Sequence, residues 1–235
     1  MARLLIAALA AAALALPAAT APAQPRQGQA RQAQRDWTRT VVATPEGGYR
    51  MGNPAARVKL VEYVSLTCPH CADFAAQSEA RLFDYVRSGR VSVEYRHFVL
   101  NPHDLAAAVL SRCASPAATF AMSQELLRTQ RQWLAAAGRM SAAERQRVQA
   151  MAPLEAVRHL VPVLGLDRIG ARHGLTVAAQ RSCVSRQANV DRLIDMAMAA
   201  EQLGVAGTPT FLINGRRVEP NSWTEIEALI RQAGG

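Results

Sequence analysis

Val58-Lys59-Leu60-Val61-Glu62-Tyr63-Val64, then Ser65-Leu66-Thr67, then Cys68-Pro69-His70-Cys71 is the stretch that decides the fold. The first seven residues are β-branched, aliphatic and aromatic, which reads as a buried strand. Helical sequence follows from about Pro69 to Ser88, and Gly89 stands where a helix is commonly closed by a left-handed residue. Val91 to Phe98 alternates as a second strand. Strand, helix and strand in one short unit satisfy the crossover that parallel pairing requires.

The two cysteines sit at the junction of strand and helix, and that placement has a chemical consequence. A thiolate is the nucleophile in sulfur exchange, and a helix N-terminus stabilises it through free N–H groups and the helix dipole. Cys68 is therefore the candidate nucleophile, with its sulfur expected to be exposed. Cys71 lies one turn further in and can attack a mixed disulfide formed at Cys68. Pro69 suits a first-turn position, and His70 offers a nearby positive charge. The same two sulfurs could form half of a zinc or copper site. Zinc usually recruits a second close pair, however, and the chain has no other Cys-x-x-Cys. Redox chemistry with no bound metal and no separate cofactor is the expectation, the working group being a redox-active disulfide.

Downstream, Gly207-Thr208-Pro209-Thr210 precedes the strand Thr210 to Ile213. Asn214-Gly215 is a hairpin turn, and Arg216 to Val218 is its short partner. Ser222 with Glu225 predicts a capping box opening a last helix through Ile230. Proline cannot serve inside a central strand, so Pro209 belongs at the strand's start or on an edge.

Between the two halves, residues 104–203 read almost wholly as helix, with Val190, Leu193, Ile194 and Ala197 marking one apolar face. An α/β domain carrying a large α-helical insertion is the simplest arrangement. Its parts are residues 39–103, the insertion, and residues 204–235. Thr40-Val41-Val42 is a possible first strand before the turn-prone Pro45-Glu46-Gly47-Gly48.

The N-terminus has the layout of a cleaved export signal over residues 1–23. Met1 to Arg3 are positive, Leu4 to Leu16 are apolar, and Ala21-Pro22-Ala23 offers small residues. The apolar run is too short to span a bilayer, which takes about 20 residues. Residues 24–38 read as a flexible tether, rich in Gln, Arg, Ala and Gly. Export implies the periplasm, a compartment where disulfides persist. Cys113 and Cys183, an even remainder in the helical segment, then suggest a structural disulfide, although two separate buried thiols would also account for them.

Composition fits this reading. Half of the residues are hydrophobic, mostly Ala and Leu, and 5% are aromatic, a helix-leaning mixture. The net charge of +9 comes almost wholly from arginine, with Lys59 the only lysine. The arginines are scattered without interleaved aromatics, so a nucleic-acid partner is not expected. The remaining histidines, His97, His103, His159 and His173, have no ligand-like spacing.

The stretch from Gly52-Asn53-Pro54-Ala55 to Cys71, the Cys-Pro-His-Cys motif, and Gly207-Thr208-Pro209-Thr210 through Asn214-Gly215 resemble the DsbA-like thioredoxin family. The likeness covers the chain from Asp36 onwards. It implies a thioredoxin fold, Cys68 as nucleophile and Cys71 as resolving thiol. Pro209 would be a cis proline, and Thr208 would offer backbone groups to an extended substrate strand. It also makes Glu62, six residues before Cys68, a buried acid assisting proton transfer; the alternative is a carboxylate facing solvent near a strand end. A buried basic partner does not map cleanly, with Tyr95, Arg96 or His97 as the nearest possibilities. By resemblance the protein donates its disulfide to folding exported proteins and is reoxidised by a membrane quinone-linked partner of the DsbB type; the short low-complexity stretch before the fold leads us to expect a monomer. Thr208 departs from the Val that such oxidases tend to carry, which leaves a disulfide isomerase or reductase open. A metal-binding carrier is the reading from a different class.

Overall fold

The structure is a computed structural model that describes residues 35–235. The expected signal peptide and nearly all of the expected tether lie outside the described residues. The tether's last residues depart from expectation: Trp37–Arg39 form a 3-10 turn, capped by Asp36, whose carboxylate accepts from the Thr38 N–H. Trp37 packs close to Gly89, which takes φ +80° just beyond the end of the first long helix. A large aromatic side chain gives this segment the apolar surface that the residues before it lack.

The sheet runs β1 (Val41–Ala43), β2 (Tyr49–Gly52), β4 (Val91–His97), β3 (Val58–Val64), β5 (Thr210–Ile213), β6 (Arg216–Val218) in spatial order. Only β3 and β4 are parallel, joined by α1 (Pro69–Arg87); all other neighbours are antiparallel. Of the seven residues of β3, only Lys59 is exposed, as a strand covered on both faces requires. Val58, Leu60 and Val64 join the main core with Phe74, Leu82 and Val86 of α1. Val61 and Tyr63 face the other way, against Phe98, Ala200 and Val205.

The expected strands and their hairpin are present. Asn214 (φ 51°) and Gly215 (φ 80°) both take left-handed backbone, as the tightest hairpin turns need. Asn214 Oδ1 also accepts from the Lys59 N–H at 2.9 Å, tying this turn to the start of β3. Strand β2 is absent from the sequence reading. Its four residues include Arg50 and end on Gly52, whose φ of 118° and close approach to Ser92 exclude a side chain. At the last helix, α10 (Trp223–Gln232), the Glu225 N–H reaches Ser222 Oγ, but the Glu225 carboxylate takes the Ser222 hydroxyl and not its backbone N–H. A reciprocal capping box is found instead at Ser141 and Glu144.

The insertion comprises α2 (Pro102–Ser111), α3 (Pro116–Arg128), α4 (Gln130–Gly138), α5 (Ala142–Ala150), α6 (Pro153–Val163), α7 (Leu166–Arg172), α8 (Val177–Val184) and α9 (Gln187–Gln202). From Asp104 to Ser111, every residue of α2 is buried, making it the insertion's axis. Cys113, just past α2, is bonded to Cys183 of α8 across a sequence separation of 70. Among the described residues no helix is long and apolar enough to cross a membrane.

Candidate active site at the head of the first helix

Strand β3 ends at Val64, and residues 65–68 turn the chain into α1. Cys68 is the N-cap of α1 with extended backbone (φ −78°, ψ 120°), and Pro69 opens the helix. Because Cys68 makes no side-chain cap bond, its sulfur is left facing the free N–H groups of the first turn. Contrary to the expected exposed sulfur, Cys68 is only 6% accessible and Cys71 is sealed. The covering group comes from the far end of the chain: the Cys68 thiol donates to the Thr208 carbonyl at 3.2 Å. The Thr208–Pro209 peptide bond is cis and leads directly into β5. Both cysteines are free thiols in this structure.

The two sulfurs differ sharply in acidity. The Cys68 thiol is brought down to about 5, first by a hydrogen bond from the Cys71 thiol and then, against the opposing effect of burial, by Thr208 and the backbone N–H groups of Cys71 and His70. Thr208 bears on Cys68 twice: its carbonyl accepts from the neutral thiol, and its buried hydroxyl, which has no hydrogen-bond partner among the described residues, favours the anion. Burial pushes the Cys71 thiol far above the ordinary thiol range, reinforced by its bond to Cys68 and by the charge of Glu62. His70 contributes a backbone N–H to this arrangement, and its side chain, like that of Pro69, is exposed.

Glu62 is 1% exposed, which removes the solvent-facing alternative. Burial raises its carboxyl to about 8, with a smaller contribution from the charge of Cys68. Its Oε1 has no hydrogen-bond partner among the described residues. Of the three candidate neighbours, Tyr95 is the residue that pairs with Glu62 across β3 and β4. Arg96 is bonded to Glu94 at 2.7 Å, and His97, buried and pushed down to about 3 by burial and then by Arg112, meets Ser123 at 3.3 Å.

Two buried residues of the insertion reach this site without having stood out in the sequence. Asp104 accepts from the Leu66 N–H at 2.9 Å and the Leu100 N–H at 3.0 Å. Burial raises its carboxyl to about 6, against hydrogen bonds from Ser65, Leu100 and Leu66. Gln130, the first residue of α4, donates to the carbonyls of both Leu66 and Cys68 at 2.9 Å. An Asn N-cap three residues before Asp104 was the only sequence signal; nothing marks Gln130.

This fold and its dithiol define a thioredoxin-class chain. A family model described as thioredoxin matches residues 44–232, and the chain belongs to that family. It is 26% identical over 186 residues to a Rickettsia bellii protein provisionally named a protein-disulfide oxidoreductase, covering 78% of this chain and 63% of that one. The chain thus spans about three fifths of the length of such curated relatives. A solved protein-disulfide isomerase from Novosphingobium aromaticivorans aligns with a TM-score of 0.74 and 29% identity, over 80% of this chain and 98% of that one. The alpha-DsbA1 structure from Wolbachia pipientis, at 23% identity and a TM-score of 0.62, shares the fold over 78% of this chain and 89% of its own.

Proposed function

We propose that this protein is a thiol–disulfide oxidoreductase that exchanges disulfides with other proteins through Cys68. The observation that carries the reading is the split between the two sulfurs, Cys68 held at about 5 and Cys71 held protonated. In the oxidising direction, a client thiolate attacks Cys68 of the Cys68–Cys71 disulfide, and the electron pair of the broken bond leaves on Cys71. Protonated Glu62 supplies the proton that Cys71 takes up, a role supported by the electrostatic coupling of the two groups. A second client thiolate then attacks the client sulfur of the mixed disulfide and expels Cys68 as a thiolate. Two electrons have passed from the client to the protein, and the client has gained a disulfide. A stabilised thiolate on Cys68 favours the reduced protein, which makes its disulfide a strong oxidant.

Donation to folding exported proteins in the periplasm is the favoured direction, with the protein a monomer reoxidised by a quinone-linked membrane partner of the DsbB type. The isomerase reading is favoured by one residue, Thr208, and by the name of the Novosphingobium relative. A refolding assay on a reduced client with two cysteines tests the activity. The oxidised protein is expected to restore the client's disulfide and Cys68→Ser to abolish the exchange. Reduced Cys71→Ser, given the disulfide-bonded client instead, is expected to attack it and accumulate a mixed disulfide at Cys68, with one client thiolate released. Exchange that survives Cys68→Ser would contradict the assignment.

A further inference from the structure

We propose that the helical insertion holds the nucleophile in its reactive position, with Gln130 and Asp104 as positioning residues that grip the backbone of the loop leading to Cys68. The inference rests on the oxidoreductase reading and deepens it.

Residues 65–68 lie outside both β3 and α1, and a short connection of this kind needs other partners for its backbone polar groups. The insertion supplies them. Leu66 is held at both ends, its N–H by Asp104 of α2 and its carbonyl by Gln130 of α4. The second N–H of the Gln130 amide goes to the Cys68 carbonyl, which also takes the first helical N–H, that of Ala72, at 3.2 Å. Asn101, the cap of α2, donates to Thr67 Oγ1 at 2.9 Å, and Thr67 meets Ser65 at 3.1 Å. Each residue of the loop is thereby fixed by the insertion directly or through one neighbour.

The grip is itself well anchored. Gln130 is 5% and Asp104 1% exposed, so neither bond competes with bulk water. Trp133, one turn into α4, donates to the Leu126 carbonyl of α3 at 2.9 Å and fixes the helix start that presents Gln130.

The consequence falls on the sulfur. The N–H groups of His70 and Cys71 favour the Cys68 anion only while Cys68 keeps the extended backbone of an N-cap. The Gln130 bond to its carbonyl opposes rotation away from that backbone. Neither Gln130 nor Asp104 is hydrogen-bonded to the reacting sulfur; Gln130 acts through the main chain alone, and Asp104 acts through the main chain and also through the coupling of its charge to that of Cys68.

Gln130→Met removes both amide donors without changing charge, and Gln130→Leu serves if the first variant does not fold. The reduced wild-type and variant proteins are titrated by the ultraviolet absorbance of the thiolate. Alkylation of Cys68 at pH 5 gives an independent rate. The expected result is a rise of about one pH unit in the Cys68 pKa and alkylation at pH 5 slowed about fivefold, since only the anion reacts. Val157→Ala, a cavity in the buried face of α6 away from the loop, controls for general loosening and should leave the titration in place. An unchanged titration in the Gln130 variants would overturn the proposal, as would an equal rise in Val157→Ala. A wild-type Cys68 titrating like an ordinary thiol would instead overturn the oxidoreductase reading, and this proposal with it.

Discussion

Glu62 of β3 lies in register with Tyr95 of β4, both buried, and one oxygen of the Glu62 carboxyl has no hydrogen-bond partner among the described residues. A buried acid without a counter-ion is more stable neutral. Burial accordingly raises the Glu62 carboxyl to about 8. Burial also raises the Tyr95 phenol, and the charge of Glu62 raises it further.

That placement predicts a pH-dependent stability with a definite sign. The Glu62 carboxyl sits at about 8 in the folded protein against an ordinary value of 4.5. The folded state keeps a proton that the unfolded chain releases, so stability falls as pH rises from about 4.5 to about 8. Glu62→Gln should remove this fall and stabilise the oxidised protein by a few kcal/mol above pH 8, on the order set by the shift. Denaturant titrations of both proteins at two pH values measure it. The same variant should slow the release and capture of Cys71 by about 100-fold, as loss of a general acid–base group does.

For Cys68 the sign is opposite. Its folded value of about 5 lies below the ordinary 9, so the reduced folded state gains stability above pH 5 that the disulfide form does not share. The gain disappears as pH falls through 5. The reduced protein should be more stable than the oxidised one at pH 7 by about 1–2 kcal/mol, after discounting for solvent near the sulfur. Paired denaturation curves across pH 4 to 8 read the gap, which should close at the acid end.

Thr208→Val keeps the β-branched shape and deletes the hydroxyl that favours the Cys68 anion. The expected outcome is a higher Cys68 pKa and a less oxidising pair, while the backbone carbonyl still accepts from the thiol. Family resemblance points the other way, since oxidases tend to carry Val at this position. Titration of Cys68 in the variant decides between the hydroxyl's direct effect and the resemblance.

Replacing Cys113 and Cys183 together by Ala should cost about 2–5 kcal/mol of stability, as loss of a disulfide closing a long loop does. The bond ties α2 to α8, and neither sulfur touches residues 65–71. Cys68 should therefore titrate unchanged in the double variant, read by the same thiolate absorbance.

The parts of the fold legible in the sequence are those with local causes. Cys68 as a helix cap, Gly89 at a helix end and the Asn214-Gly215 hairpin each depend on a few adjacent residues, and each forms as read. Strand β2 escaped because its pairing with β1 and β4 is what makes four residues with little alternation a strand. The resemblance sets Thr208 and Pro209 beside the dithiol, but the residues around Cys68 imply an exposed sulfur, because the carbonyl that covers it arrives from 140 residues away. Asp104 and Gln130 look like ordinary polar residues of helices. Their role comes from backbone groups 38 and 64 residues distant, which no periodicity reveals. Glu62 could be singled out because an acid inside an apolar strand is itself anomalous.

If the stabilised Cys68 thiolate makes this pair a disulfide donor, the reduction potential of the pair shows it most directly. The Cys68/Cys71 pair is equilibrated against glutathione buffers and the two redox forms are quantified, with the Cys113/Cys183 double variant as a control. A potential near −120 mV, at the oxidising end of the range for such proteins, is the predicted result. A value near about −270 mV would contradict it and place the protein among reductases.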